Sequence, residues 1–209
     1  MTSAVPRLLS ILPAALLLGA FDAGEARALS FVAELTPCQV VPVGSGLDPC
    51  GSATSSGTAT FELNEAETEL AYSITLDGID ILSGIQGMHF HIGVPGENGP
   101  HVLNLLGLPS QDDSDISLDP GTNTISGIYD DSDENLDAAG MPGVRDPGDS
   151  VALTGVLDEL KAGNFYVAVH TTAYSLPNTS ELRGQIVPEP STGALIAAGL
   201  LLGTVRRRR

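Results

Sequence analysis

Apolar and polar side chains alternate along most of the chain between residues 30 and 187. This alternation is typical of strands that bury one face, because successive side chains of a strand point to opposite sides of a sheet. We predict nine strands, at 30–35, 57–63, 70–76, 87–92, 101–106, 124–129, 150–154, 165–171 and 181–187. One short helix is predicted over 156–162, ended by Gly163. The pattern predicts an all-β fold, an antiparallel Greek-key sandwich or barrel.

The first 28 residues form a segment of a different kind. They combine an early arginine, an apolar run over 8–20 and small residues at Ala26 and Ala28. This order predicts a secretory signal peptide over 1–28, cleaved at the small residues. A buried N-terminal helix is the alternative, and the two prolines of the segment disfavour it.

The last residues form a third segment, 188–209. Pro188, Glu189 and Pro190 precede a thirteen-residue apolar run and four terminal arginines. The run is short for a membrane-spanning helix, which needs about 20 residues, and the arginines favour a cytoplasmic end. The arrangement resembles the PEP-CTERM sorting signal of Gram-negative bacteria. The resemblance implies export, transient membrane association and processing by an exosortase, whereas a plain C-terminal anchor is the alternative.

The charge of the chain excludes one class of partner. The chain has 26 acidic and nine basic side chains, and residues 30–187 hold only three of those bases against 23 acids. Nucleic-acid binding requires a basic surface that neutralises phosphates, so we exclude it. An acidic, self-repelling surface instead favours solubility and attracts divalent cations.

The two cysteines, Cys38 and Cys50, close a loop that is rich in Gly, Pro and Ser. Export to an oxidising compartment favours a disulfide, which would stabilise the fold by roughly 3 kcal/mol on the chain-entropy model. Two free thiols or two metal ligands are the alternatives. We favour the disulfide because two cysteines without a nearby histidine make a poor zinc site.

The stretch 111–149 is strongly acidic, with eleven acids and one base, and we interpret it as a solvated acidic loop around the strand at 124–129. Carboxylate and amide oxygens at alternate positions are ligands that Ca²⁺ prefers. The candidate calcium ligands are Asp131, Asp133, Asn135 and Asp137. The spacing does not match an EF-hand, because Leu136 takes the place of the required glycine, so we favour the solvated loop over a calcium site.

The four histidines offer the clearest chemistry. His89 and His91 lie two residues apart on one predicted strand and therefore share a face, opposite its apolar face. The same alternation places His170 on the face of its own strand that is turned away from the apolar residues. Two such imidazoles with a third from a neighbouring strand predict a Zn²⁺ or Cu²⁺ site, with His101 as an additional candidate. Merely solvated histidines are the alternative.

Four motifs in this order resemble the CHRD domain, which is named after chordin: 89–93 (HFHIG), 96–100 (GENGP), 166–171 (YVAVHT) and 181–186 (ELRGQI). The resemblance extends from Phe31 to Ile186. It implies an all-β domain and no particular reaction, because the family has no established general activity. His101 stands where an apolar residue is common in the family. This departure either adds a metal ligand or places a solvated residue after a turn.

Arg183 is nearly the only base of this domain, and we expect it to form a salt bridge, with Glu181 or Glu97 as partner. The sequence has no nucleophile elbow, no phosphate loop, no dinucleotide-binding glycine motif and no Cys-x-x-Cys. Four histidines are also too few for a dinuclear copper–zinc dismutase site. An enzymatic role is therefore disfavoured.

The function favoured by the sequence is a non-enzymatic binding or structural module at the cell envelope or in the extracellular matrix of a Gram-negative bacterium. Its expected partners are the export machinery, an exosortase-type enzyme and extracellular polysaccharide. The alternative is a mononuclear Zn or Cu domain, or a metalloenzyme, that uses a three-histidine face. A weaker third hypothesis is Ca²⁺-dependent adhesion through 112–137.

Overall fold

A computed structural model describes residues 28–42, 48–107, 111–134, 150–174 and 180–189. Its nine strands are β1 Leu29–Leu35, β2 Ser56–Leu63, β3 Glu69–Asp77, β4 Ile85–Ile92, β5 His101–Gly107, β6 Ser117–Asp119, β7 Thr124–Asp130, β8 Phe165–Thr171 and β9 Leu182–Pro188. The α-helix α1 spans Leu157–Lys161. Three-residue 3₁₀ helices lie at Pro37–Gln39, Asp131–Asp133 and Leu153–Gly155.

The strands form one antiparallel sheet in the order β5-β4-β8-β9-β1-β2-β3-β7-β6, and this sheet curls into a half-barrel. The predicted all-β antiparallel fold is therefore confirmed, in a form closer to the barrel than to the sandwich. Among the described residues, none belongs to a helix that is long and apolar enough to span a membrane.

The core lies on the inner face of the curled sheet. On β3 four alternate side chains are buried: Leu70, Tyr72, Ile74 and Leu76. Phe90 of β4 is central, because its ring contacts rings from strands far away in the sheet order. The ring centroids lie 5.6 Å from Tyr72 on β3, 5.9 Å from Phe61 on β2 and 6.1 Å from Tyr129 on β7.

Strands β1 and β9 are neighbours in the middle of the sheet. Their pairing joins the part formed by β5, β4, β8 and β9 to the part formed by β1, β2, β3, β7 and β6. Their ladder pairs Phe31 with Pro188 and Val32 with Val187, and an isolated bridge links Thr36 to Arg183. Beyond the ladder, the main-chain N–H of Glu189 donates to the carbonyl of Ser30 at 2.9 Å. The first residues of the candidate sorting segment are thus part of the folded sheet.

The predicted strand at 150–154 is wrong. Within it, the Val151 N–H donates to the Val102 carbonyl, and the chain then turns into the 3₁₀ helix at Leu153–Gly155. The ninth strand is instead β6, which the sequence did not suggest because it has only three residues and none of them is buried. The predicted helix is shorter than expected, and Gly163 follows it with a positive φ of 76°.

Two further predictions concern the ends and the cysteines. Cys38 and Cys50 form a disulfide, as expected. The described residues begin at residue 28, so the signal peptide with Ala26 and its cleavage remains a prediction. Pro190 and the rest of the tail likewise lie outside the described residues.

Candidate functional site

The face of β4 that points away from the core is also buried. His89 of β4 is 2% exposed, and Tyr166 and His170 of β8 are 3% and 7% exposed. The strand register explains the grouping, because His89 pairs with Ala168 and His91 pairs with Tyr166. The predicted face of the histidines is therefore correct, but it forms a second, polar interior rather than a solvated surface.

Three histidines converge on this polar face. Their candidate ligand nitrogens, on His89, His91 and His101, all lie within 4.8 Å of one another. The ring centroids of His89 and His101 are 4.1 Å apart, and those of His91 and His101 are 4.9 Å apart. The group consists of imidazoles alone, which is a ligand set suited to zinc or copper.

Irregularities in β5 bring His101 into this group. The register shifts between Met88 and His89 and again between Phe90 and His91, so that His101 lies directly opposite His91. A shift by one residue moves a side chain to the other face of the sheet. The sequence named His101 only as an additional candidate because no residue pattern reveals such shifts.

His170 lies beside this group. It pairs with Gly87 of β4, and its ring centroid lies 5.2 Å from that of His89. The sequence ranked His170 as the third ligand together with His89 and His91. The structure places it next to His89 but does not gather its nitrogens with the other three.

His91 is held in one orientation by the connection between β4 and β5. Its Nδ1 lies 3.1 Å from the carbonyl oxygen of Gly99. A carbonyl can only accept, so Nδ1 carries the proton and Nε2 keeps its lone pair. Within the described part of the chain, this buried Nε2 has no hydrogen-bond partner. An imidazole so fixed presents Nε2 to an ion, as metal-binding histidines do when their other nitrogen is hydrogen-bonded.

The electrostatics keep His91 neutral. Burial, and after it the neighbouring His101, lowers the pKa of His91 to about 3. The hydrogen bond to Gly99 acts in the opposite direction and is outweighed. The ring is therefore neutral at physiological pH, which is the form that binds a metal ion.

The spacing is close to that of a metal site. Nitrogen ligands about 2.0 Å from a tetrahedral ion are about 3.4 Å apart, so small side-chain adjustments would bring the three histidines into coordination. Three protein ligands would leave a fourth position for water or another small ligand, which is the arrangement of catalytic zinc sites.

A tight connection, residues 93–100, runs over this face. Val94 to Glu97 forms a turn closed by the Glu97 N–H and the Val94 carbonyl at 3.1 Å, with Gly96 at a φ of 83°. Pro followed by a glycine of positive φ is typical of a type II turn. At Gly99 an added Cβ would lie 1.6 Å from the carbonyl oxygen of Ile92, so only glycine fits there.

Arg183 does not form the salt bridge that we expected. Its guanidinium donates to the carbonyls of Glu97 at 2.7 Å and Val94 at 3.0 Å. It also lies 3.7 Å over the ring of Tyr166. Among the described residues, the one ion pair joins Lys161 to Glu67. The expected partner Glu181 instead accepts hydrogen bonds from Ser55 and Thr171.

Two of the candidate calcium ligands, Asp131 and Asp133, lie among the described residues, and their carboxylates accept hydrogen bonds from other groups of the protein. The carboxylate of Asp131 accepts from the main chain and side chain of Thr154 at 2.9 and 2.8 Å. Asp133 is 2% exposed and accepts from the main chain of Asp130 and Ser114. Asn135 and Asp137 lie outside the described residues, so a calcium site there stays a prediction.

The acidic stretch also contains a buried carboxyl group that sequence reasoning missed. Asp113 is 1% exposed and accepts a hydrogen bond from the hydroxyl of Tyr72. Burial raises the pKa of Asp113 and that of Tyr72, so the tyrosine stays protonated. Between 111 and 134 the stretch includes β6, β7 and a 3₁₀ helix, and it is not one continuous loop.

The fold and the site now allow comparison with known proteins. The family model of the CHRD domain matches residues 31–186, from β1 to β9, so the chain belongs to the CHRD domain family. The PEP-CTERM protein-sorting motif matches residues 187–209. No curated protein matches the chain. Both resemblances are confirmed, and the sorting motif marks an exported, surface-directed protein that is processed by exosortase-type machinery.

Proposed function

We propose that this exported CHRD module binds one zinc or copper ion through His89, His91 and His101, with His170 beside them. The observation that carries the proposal is the approach of three ligand nitrogens to within 4.8 Å on a face where His89 is buried and His91 and His101 are half-buried. The orientation of His91 by Gly99 supports it, because a fixed tautomer prepares Nε2 for coordination.

The ligand chemistry favours zinc or copper over harder ions. Imidazole nitrogen suits Zn²⁺ and Cu²⁺, whereas Ca²⁺ and Mg²⁺ prefer oxygen ligands. The acidic domain around the site lowers the electrostatic cost of bringing a divalent cation near it. We assign no reaction to the ion, and we expect the module to act by binding.

We further propose that the mature protein works at the cell envelope or in an extracellular polysaccharide matrix of a Gram-negative bacterium. The sorting motif supports this location, and the net charge of −17 favours a soluble, hydrated surface. Contact with the membrane through the C-terminal segment would be transient and precede processing.

Metal content tests the proposal. We expect elemental mass spectrometry of the full chain, dialysed against zinc or copper and then against buffer, to give about one ion per chain. His101→Ala should lose that ion, because it removes one of three ligands. His170→Ala should retain it with a smaller loss of affinity. Circular dichroism controls for folding, and a wild-type chain without metal would contradict the proposal.

A further inference from the structure

Arg183 is a buried cation that stability alone does not explain. Its side chain is 2% exposed, and no carboxylate of the described residues pairs with it. A buried guanidinium without a counter-charge is costly, and an apolar residue of similar volume can be as stable or more so. The groups that Arg183 contacts indicate which part of the molecule it holds in place.

Two hydrogen bonds of the guanidinium reach the connection between β4 and β5, and another goes to Oε1 of Gln185 at 3.0 Å. The guanidinium binds the two ends of the turn at Val94 and Glu97, through carbonyls 3.0 and 2.7 Å away. Two residues further along β9, the amide of Gln185 donates to the carbonyl of Gly93 at 2.9 Å. A planar guanidinium suits this role, because its donors are fixed in direction and can hold two acceptors at once.

The C-terminal end of the same connection contacts the candidate metal site. The N–H of Gly99 donates to the hydroxyl of Tyr166 at 3.1 Å. The carbonyl of Gly99 accepts the hydrogen bond from Nδ1 of His91. The Tyr166 ring also stacks on the His91 ring, with centroids 4.9 Å apart and planes 7° from parallel. Since β8 lies between β4 and β9, Tyr166 stands between His91 and Arg183.

We propose that Arg183 is a positioning residue for the metal site. Through Val94, Glu97 and the ring of Tyr166 it holds Gly99 where the Gly99 carbonyl fixes the orientation of His91. The inference rests on the proposed metal-binding function and adds a residue that does not itself touch the ion. Losing a group that hydrogen-bonds a metal ligand typically weakens metal affinity by 10- to 100-fold, and we expect the lower end of this range for Arg183, which acts one step further from the ligand.

Copper binding by the full chain tests this role. The dissociation constant for Cu²⁺ would be measured by competition with a chelator, and the copper environment by electron paramagnetic resonance. Arg183→Lys keeps the charge but loses the planar fork, and we expect at least about tenfold weaker binding with an altered spectrum. Lys161→Met, which removes the cation of the Lys161–Glu67 pair, is the matched control and should change neither.

A second variant keeps the test decisive if Arg183→Lys does not fold. Tyr166→Phe retains the ring that stacks on His91 but removes the hydroxyl that accepts from Gly99, and it should weaken copper binding about tenfold. Wild-type affinity and spectrum in Tyr166→Phe and in any folded Arg183→Lys would overturn the positioning role alone. A wild-type chain that binds neither copper nor zinc would overturn the proposed function together with this inference.

Discussion

Asp133 shows how one buried side chain can set the pH response of the protein. Its carboxylate accepts hydrogen bonds from the main chain of Asp130 and Ser114, yet burial outweighs them and raises its pKa to about 6. The nearby Asp113 acts in the same direction. The folded protein therefore holds a proton on Asp133 at pH values where the unfolded chain has released it.

This shift predicts that the stabilisation contributed by Asp133 is lost as the pH rises, whereas the lowered pKa of His91 acts in the opposite direction over the same pH range. A carboxyl whose folded pKa is raised stabilises the fold below its unfolded pKa of 3.8, and this contribution disappears as the pH passes 6. We expect Asp133 to lower the free energy of unfolding by about 2 kcal/mol between pH 4.5 and pH 7. Urea denaturation of the wild type and of Asp133→Asn at the two pH values measures this contribution, because the opposite effect of His91 is common to both chains.

Two variants isolate that contribution. Asp133→Asn should alter the pH dependence, making the change in the free energy of unfolding from pH 4.5 to pH 7 about 2 kcal/mol more positive than in the wild type, because the amide does not titrate. Asp119→Asn should leave it unchanged, since hydrogen bonds from Thr122 and Gly121 lower the pKa of the exposed Asp119 out of this range. The same pH dependence in Asp133→Asn as in the wild type would contradict a titration of Asp133 in this range.

Among the strands, the sequence reveals faces better than it reveals register. Alternation correctly placed Met88 and Phe90 in the core and His89 with His91 on the opposite face. It could not place His101, because that position depends on two register shifts between β4 and β5. The role of Arg183 was also beyond the sequence, since its partners are main-chain carbonyls that have no residue signature.

The connection between β4 and β5 allows a direct comparison of two glycines. Gly99→Ala would bring a Cβ to 1.6 Å from the Ile92 carbonyl, and we expect a loss of at least about 3 kcal/mol because backbone must move. Gly96→Ala has open space and only an unfavourable φ of 83°, so about 1 kcal/mol is expected. Urea denaturation compares them, and equal losses would contradict this packing.

For the whole molecule, the curl of the sheet brings together strands that are distant in the sheet order. Phe90 of β4 contacts Phe61 of β2 and Tyr129 of β7, although three or more strands separate them. Main-chain ladders hold only neighbouring strands, so side-chain contacts of the core, these rings among them, hold the distant strands of the curled sheet together. Disrupting these contacts should destabilise the entire domain rather than one hairpin.

Phe90→Ala tests that expectation. We expect this substitution to lower the free energy of unfolding by about 3 to 5 kcal/mol. The loss should be the same whether unfolding is followed by near-ultraviolet or by far-ultraviolet circular dichroism. Leu82→Ala is the control, because Leu82 is 64% exposed and should change stability little. Separate transitions for the two signals would show that the halves of the sheet unfold independently.

The pairing of β1 with β9 has a consequence for how the domain is attached. Ser30 and Glu189 are joined by a main-chain hydrogen bond, so the chain enters and leaves the half-barrel at adjacent points. The predicted leader over 1–28 and the sorting motif at 187–209 would therefore connect to the domain at adjacent points. Attachment through the C-terminal segment would thus hold the domain at the side of the half-barrel where β1 begins and β9 ends.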